Sequence, residues 1–285
     1  MLVYLNGEYI DHSEAKVSVD DRGFLFADGV YEVVRVYDGR PFLMEPHVVR
    51  MKEGLRALQI DTSCIQDLEQ VAERLLRENG ITDGDATIYA QVSRGVAPRK
   101  HAFPPDCTPT IYVAAKRFNN HPTSYFEDGV AAVTVPDNRW TRCDIKSIAL
   151  LPNVLANQAA HAADAFEALF VKDGVVIEGS HSNLFAVLDG TLITYPKSNY
   201  ILAGITRALV IELARELGIP FAEAPLYWER LGDVEELFLS GTTTEVMPIT
   251  KVDGRPVGIG RVGQVTKRLQ EAYAQRAHPT ASVSA

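Results

Sequence analysis

The residues of this chain best suited to chemistry are a lysine, a glutamate and two turns rich in glycine and threonine. Lys146 is a primary amine within Asp144-Ile145-Lys146-Ser147-Ile148-Ala149-Leu150-Leu151, a run that is otherwise largely apolar. An ordinary lysine with a pKa near 10.4 is only about 0.04% unprotonated at neutral pH. A nucleophilic one therefore needs partial burial or a cationic neighbour, and this run offers burial. Taken alone, a lysine here would far more often snorkel from a strand edge, so Lys146 by itself decides little. Glu178 follows Val175-Val176-Ile177 and precedes Gly179-Ser180-His181-Ser182-Asn183. A carboxylate buried there beside a ring nitrogen would keep that ring protonated, each pKa unit being worth ~1.4 kcal/mol, and a protonated ring is an electron sink. Leu202-Ala203-Gly204-Ile205-Thr206-Arg207 reads as a turn entering a helix with Thr206 as N-cap, so amides and a hydroxyl meet where an anion is favoured. Ser240-Gly241-Thr242-Thr243-Thr244-Glu245 offers a second such set, and Arg50 is suited to close on a phosphate. These are the parts that an aldehyde cofactor bearing a ring nitrogen and a phosphate would need.

Composition and motif searches remove several alternatives. The net charge of -9 and the absence of a basic cluster argue against a nucleic-acid binder. Three cysteines at unrelated spacings, Cys64, Cys107 and Cys143, suit reduced thiols rather than a disulfide framework. The first residues lack a basic region followed by a long apolar stretch, and no apolar run approaches the ~18 residues of a membrane span, so the sequence predicts a cytoplasmic protein with no membrane partner. Seven histidines without ligand spacing predict no metal. Gly258-Ile259-Gly260-Arg261-Val262-Gly263 fits the dinucleotide G-x-G-x-x-G pattern and precedes a helix. It lacks a βαβ unit and an acidic residue about 20 positions on, so we set it aside.

Periodicity supplies the elements that must position these residues. At 285 residues the chain exceeds a usual single core, and two domains are expected. Residues 1–117 read as a small α/β domain. They hold a hairpin around Asn6-Gly7, a strand at Val30 to Tyr37, a helix after Pro46, a second from Ser63 to Asn79-Gly80, and strands at Ala86 to Ser93 and Thr110 to Ala115. Residues 118–124 lie in a polar, proline-bearing stretch and read as a linker. Residues 125–285 form the larger domain, with strands at 130–135, 168–171, 175–177, 184–188 and 192–194 and helices at 153–165, 206–217 and 262–274. The turns Lys172-Asp173-Gly174 and Asp189-Gly190 favour a mixed or antiparallel sheet, and Pro279 to Ala285 reads as a frayed tail.

Taken together, the Asp144–Pro152 run, Glu178-Gly179-Ser180-His181-Ser182-Asn183, Gly204-Ile205-Thr206-Arg207 and the threonine-rich turn resemble, in order and spacing, the fold-type IV pyridoxal-phosphate enzymes. That group includes D-amino acid transaminases, branched-chain transaminases and aminodeoxychorismate lyases. The resemblance implies a two-domain α+β or α/β mixed fold with a barrel-like core in the larger domain, and pyridoxal 5'-phosphate as cofactor. It implies that Lys146 holds the cofactor covalently and shuttles the proton in a ping-pong transamination, and that Glu178 pairs with the ring nitrogen. It assigns the phosphate to Arg50, Ile205 (through its backbone N–H), Thr206 and Thr242, and the ring face to Leu202. Arg99-Lys100-His101 matches the Arg-x-His carboxylate clamp of the D-amino acid branch, with Tyr31 in Gly29-Val30-Tyr31-Glu32 as its partner. A guanidinium, an imidazole and a phenol make a directional donor set for one planar carboxylate. The implied partners are a D-amino acid such as D-alanine or D-glutamate, a 2-oxo acid such as 2-oxoglutarate or pyruvate, and a second copy of the chain in a homodimer whose active site is near the subunit interface. A branched-chain or (R)-amine transaminase, or a lyase, remains open on the same cradle.

Overall fold

The computed structural model describes residues 1–279, and the tail expected over Pro279–Ala285 lies outside them from residue 280 onward. The chain divides into two compact units, Met1–Asn120 with Ile145–Leu150, and His121–Asp144 with Leu151–Ala285.

In the first unit the elements are β1 (Leu2–Leu5), β2 (Glu8–Asp11), α1 (Arg22–Phe26), β3 (Gly29–Tyr37), β4 (Arg40–Pro41), α2 (Met44–Ala57), α3 (Leu68–Glu78), β5 (Ala86–Ser93) and β6 (Thr110–Arg117). The strands form an antiparallel sheet in the order β2-β1-β6-β5-β3-β4. Strand alternation sends Val30, Val34, Ile88, Ala90, Val92 and Val113 into one core, where Met51 and Leu55 of α2 and Val71 and Leu75 of α3 meet them. In α3 the buried residues Leu68, Val71, Ala72, Leu75 and Leu76 recur at helical spacing, so one stripe faces the sheet. Burying a side chain such as Leu55 or Leu75 contributes about 1.5–3 kcal/mol. Glu32 lies on this same core face, between Val30 and Val34.

β4 pairs with β3 only at Val36 and Tyr37, which leaves the edge at the start of β3 open. Ile145–Leu150 takes that edge. Tyr31 N donates to Lys146 O at 3.0 Å, Ile148 N donates to Gly29 O at 3.1 Å, and Ile145 enters the core. The lysine run is therefore held by strand pairing to a segment more than a hundred residues earlier in the chain.

The second unit contains α4 (Thr123–Asp128), β7 (Val130–Pro136), α5 (Leu151–Ala162), β8 (Glu167–Lys172), β9 (Val175–Gly179), β10 (Asn183–Leu188), β11 (Thr191–Thr194), α6 (Ile205–Glu216), β12 (Phe221–Glu223), β13 (Leu226–Tyr227), β14 (Glu236–Gly241), β15 (Glu245–Val252), β16 (Arg255–Pro256) and α7 (Gln264–Ala277). The succession β10-β14-β15-β7-β8-β9 returns to β10 and closes a six-stranded barrel, parallel at β7–β15 and β7–β8 and antiparallel elsewhere. The expected barrel-like core is thus present. Its closure rests on one residue pair, Glu178 with Asn183. Closure fixes Glu178 at a barrel seam, while the sheet itself runs on past the ring to β12 and β13.

Some expectations are corrected. Thr206 is not an N-cap: Gly204 holds that position, α6 starts at Ile205, and Thr206 lies buried in the first turn. The helix expected from Ser63 is a short 3-10 turn over Thr62–Ile65, with α3 starting only at Leu68. Asp61 accepts from Ser63 N at 3.0 Å, a local bond that competes with helix continuation. Strand β15 escaped detection because Pro248 interrupts its pattern. At the glycine-rich segment before α7, the helix N-terminus is occupied by the Glu236 carboxylate, which accepts from Val265 N at 3.0 Å, Thr266 N at 2.8 Å and Thr266 Oγ1 at 2.8 Å. A side chain of this protein fills the place a phosphate would take in a dinucleotide fold.

Candidate active site

Lys146 is half-buried, and its Nζ lies 4.3 Å from the ring centroid of Tyr31. Tyr31 in turn stacks on Tyr89 at 6.0 Å. Behind them on the core face, Glu32 grips Arg50 through two bonds, Nε to Oε1 at 2.7 Å and Nη2 to Oε2 at 2.8 Å, and contacts His47 Nδ1 at 2.8 Å. Burial pushes the Glu32 carboxyl up, but the charge and hydrogen bonds of Arg50, then His47 and Lys146, overcome it and hold it down to about 2. Burial first, opposed by Glu32, keeps the His47 imidazole below its ordinary value. A carboxylate accepts only, so His47 Nδ1 carries the proton in this bond. Arg50 is therefore not a solvated helix charge but a guanidinium fixed at the end of a buried network. Glu32 and His47 were not singled out from sequence. A carboxylate at a core-facing position of a strand is the signal that could have found Glu32.

Glu178 is 4% exposed, and three donors hold it. Arg139 Nη1 reaches Oε1 at 2.5 Å, and Asn183 Nδ2 and Leu202 N reach Oε2 at 3.0 and 3.1 Å. Arg139 is itself shared, with Nε and Nη2 on the two oxygens of Asp137 at 2.9 and 3.0 Å. Two buried carboxylates thus compete for one guanidinium. Burial pushes the Glu178 carboxyl up to about 7 against the pull of Arg139, whereas Asp137 and Glu178 outweigh burial to hold Arg139 above its usual range. Arg139 is bound twice over, while Glu178 receives only part of one cation. Formally, Asp137, Arg139 and Glu178 carry an excess charge of -1, which the N–H of a cationic ring nitrogen would neutralise. Arg139 was missed from sequence because it sits in a polar, turn-like stretch 39 residues from its partner.

The same carboxylate is tied to the entrance of α6. Asn183 Nδ2 also donates to Leu202 O at 2.9 Å, and a Cβ on Gly204 would lie 2.0 Å from Asn183 Oδ1, so any side chain there would push Asn183 out of place. No side chain caps α6, which leaves the Ile205 and Thr206 amides to an anion. Thr242 is half-buried in the turn between β14 and β15, and the neighbouring Ser240 Oγ is buried without a hydrogen-bond partner. After Glu178 the turn is braced by Glu167, fully buried, whose Oε1 accepts from His181 N at 2.7 Å and Ser182 Oγ at 2.9 Å. A bound acid with a charge deficit, uncapped helix amides and an orphaned hydroxyl fit a group that combines a cationic ring nitrogen with a phosphate.

Arg99, Lys100 and His101 are exposed. Arg99 and His101 both pack on Phe26, at 5.2 and 5.5 Å, and among the described residues neither hydrogen-bonds to Tyr31 or Lys146. The structure thus joins Tyr31 to Lys146, groups Glu178 with Leu202 near Ile205 and Thr206, and leaves Arg99 and His101 on a loop of their own. No group of three or more potential metal ligands occurs among the described residues.

A closed six-stranded barrel with a buried acid at its seam, and a lysine run paired to an antiparallel sheet, are features expected of a pyridoxal-phosphate enzyme of fold type IV. Comparison with known proteins agrees. The family model for class IV amino-transferases matches residues 29–252. D-alanine aminotransferases of Staphylococcus haemolyticus and Bacillus licheniformis are 44% and 40% identical over 273 residues, covering 95% of this chain and 96% and 95% of theirs. Among solved structures, the branched-chain amino acid aminotransferase of Escherichia coli superposes with a TM-score of 0.90 at 29% identity, covering 99% of this chain and 96% of that one. A second branched-chain amino acid aminotransferase, solved with pyridoxamine 5'-phosphate, gives 0.88 at 28% identity, covering 99% and 95%. The chain belongs to the class IV aminotransferases, and pyridoxal 5'-phosphate is its cofactor.

Proposed function

We propose that this enzyme moves the amino group of a D-amino acid, such as D-alanine or D-glutamate, to a 2-oxo acid such as 2-oxoglutarate or pyruvate. The observation that carries the reading is the chemistry of the Glu178 site, a buried acid short of one cation. The branch is supported by full-length relatives named D-alanine aminotransferases at 40–44% identity, against 28–29% for the branched-chain structures, and by the Arg99-Lys100-His101 strip.

When bound, the cofactor supplies an aldehyde for the amino group and a conjugated cationic ring that takes up the electron pair left by α-proton removal. Glu178 would hold a proton on the ring nitrogen, with Arg139 keeping Glu178 ionised beside it. Arg50, the Ile205 and Thr206 amides and Thr242 would hold the phosphate, and Leu202 would lie against the ring. Lys146 Nζ would be the amine that holds the cofactor's aldehyde carbon, and as a free amine it would serve as the base that takes the α-proton and the acid that returns it. Tyr31, Arg99 and His101 bind the α-carboxylate and so decide which hand of substrate presents its hydrogen to Lys146. The exposure of Arg99 and His101 in the single chain suits a loop that completes the site of a second copy, so the working form is a homodimer. The described residues contain no helix long and apolar enough to cross a membrane, and the three thiols are free, which suits a reducing cytoplasm. Assays of D-alanine, L-leucine and (R)-1-phenylethylamine with 2-oxoglutarate or pyruvate test the reading. Turnover of D-alanine is expected, and activity on L-leucine without D-alanine would move the enzyme to another branch.

A further inference from the structure

The strip Arg99-Lys100-His101 sits in a connection of 16 residues, 94–109, between β5 and β6. Hairpin connections are usually 2–5 residues, and one this long without regular structure needs an external brace to hold a working geometry. Its first part has one: Arg22 N donates to Gly95 O at 2.9 Å, Ala97 N donates to Asp20 O at 3.3 Å, and the Arg94 guanidinium grips both oxygens of Asp28 while lying 3.6 Å from the Phe103 ring centroid. Beyond Pro98, among the described residues, the hydrogen bonds from the loop backbone to the rest of the unit come from one side chain. Arg22 Nη1 donates to Lys100 O at 2.6 Å and Nη2 to His101 O at 3.4 Å, while its Nε is fixed on Asp28 Oδ2 at 2.8 Å. Arg22 is 3% exposed, a buried cation whose fork points in three defined directions. Phe26, on the same short helix, receives Arg22 at 4.9 Å, Arg99 at 5.2 Å and His101 at 5.5 Å.

We propose that Arg22 is a positioning residue that sets the enzyme's affinity for the substrate carboxylate, by holding the Lys100 and His101 carbonyls so that Arg99 and His101 present their donors together. The inference rests on the carboxylate reading of Arg99 and His101 above. Arg22 touches no reacting atom, so its loss acts on KM and on binding of simple carboxylates, not on the chemical step. A lysine restores the charge opposite Asp28 but cannot span the pair of carbonyls.

The test is steady-state kinetics of the holoenzyme with D-alanine, plus inhibition by propionate, for R22K, R22M and R99M. Loss of a charge-assisted bond predicts a KM for D-alanine and an inhibition constant for propionate each raised about tenfold in R22K and more in R22M, with kcat within about threefold. R99M must raise both constants as well. If R99M raises them and R22K does not, the carboxylate reading stands and the positioning inference is overturned. If R99M leaves them unchanged, the carboxylate reading fails and the inference with it. A drop in kcat at unchanged KM in R22K would also overturn it. Should the Arg22 variants not fold, F26L keeps the Arg22–Asp28 pair and removes the shared ring, and the same split, KM raised at constant kcat, is required of it.

Discussion

Replacing Arg139 with methionine separates the charge argument at Glu178 from packing. Side chains of Asp137, Arg139 and Glu178 are 4%, 6% and 5% exposed, so the substitution leaves two carboxylates out of water with no counter-charge. Removing one partner of a buried ion pair typically costs about 3–5 kcal/mol. The pH dependence follows from Glu178, whose folded-state pKa of about 7 exceeds the 4.5 of an ordinary glutamate. In the wild-type apoenzyme a raised acid pKa means that stability from this group falls as pH rises from 4.5 to 7 and is constant above. In R139M the main lowering influence on Glu178 is gone, so its pKa moves above 7, and the folded state keeps a proton that the unfolded chain has lost. The gap between wild type and R139M must therefore widen above pH 7, by about 1.4 kcal/mol per unit until the new pKa is reached. Urea unfolding of both cofactor-free proteins from pH 6 to pH 9 measures it. A deficit below about 1 kcal/mol, or one that stays constant with pH, would refute the shared-cation argument.

Other outcomes follow from the same geometry. E178Q keeps the shape of the side chain but removes the charge facing the ring nitrogen; a unit charge pair at about 4 Å in an effective dielectric of 20 is worth about 4 kcal/mol, so kcat for D-alanine should fall about 10³-fold, and a fall of less than tenfold would deny Glu178 its role. Glu32, held down to about 2, contributes about 3 kcal/mol of stability that is present above pH 4.5 and lost as pH falls toward 2. The difference in unfolding free energy between wild type and E32Q should accordingly shrink across that interval, as acid titration followed by circular dichroism would record. G204A places a Cβ where Asn183 Oδ1 now lies, so Asn183 must leave Glu178 and Leu202. Cofactor dissociation measured by absorbance should be at least about tenfold faster, since a bond to a charged group is lost.

How much of this was legible in the sequence differs between residues for physical reasons. Lys146 and Glu178 stood out because ionisable side chains are unusual in apolar runs, and strands and amphipathic helices followed from their periods. Arg139 was invisible because Asp137-Asn138-Arg139 resembles a solvated turn until the barrel brings Glu178 to it. Arg22 was hidden likewise, its targets being backbone carbonyls, which no residue type advertises. The return of Ile145–Leu150 to the edge of β3 depends on a vacancy left by the shortness of β4, a property of pairing rather than of composition. Thr206 was misread as a cap because threonine commonly caps helices; Gly204 holds the position since any side chain there would strike Asn183.

The central claim is that Lys146 is the amine that holds the cofactor. Borohydride treatment of the purified yellow holoenzyme, followed by peptide mass spectrometry, tests it most directly. Loss of colour and of activity is expected, with one reduced pyridoxyl-phosphate adduct per chain located on Lys146. An adduct on a different lysine, or full activity in K146A, would contradict it.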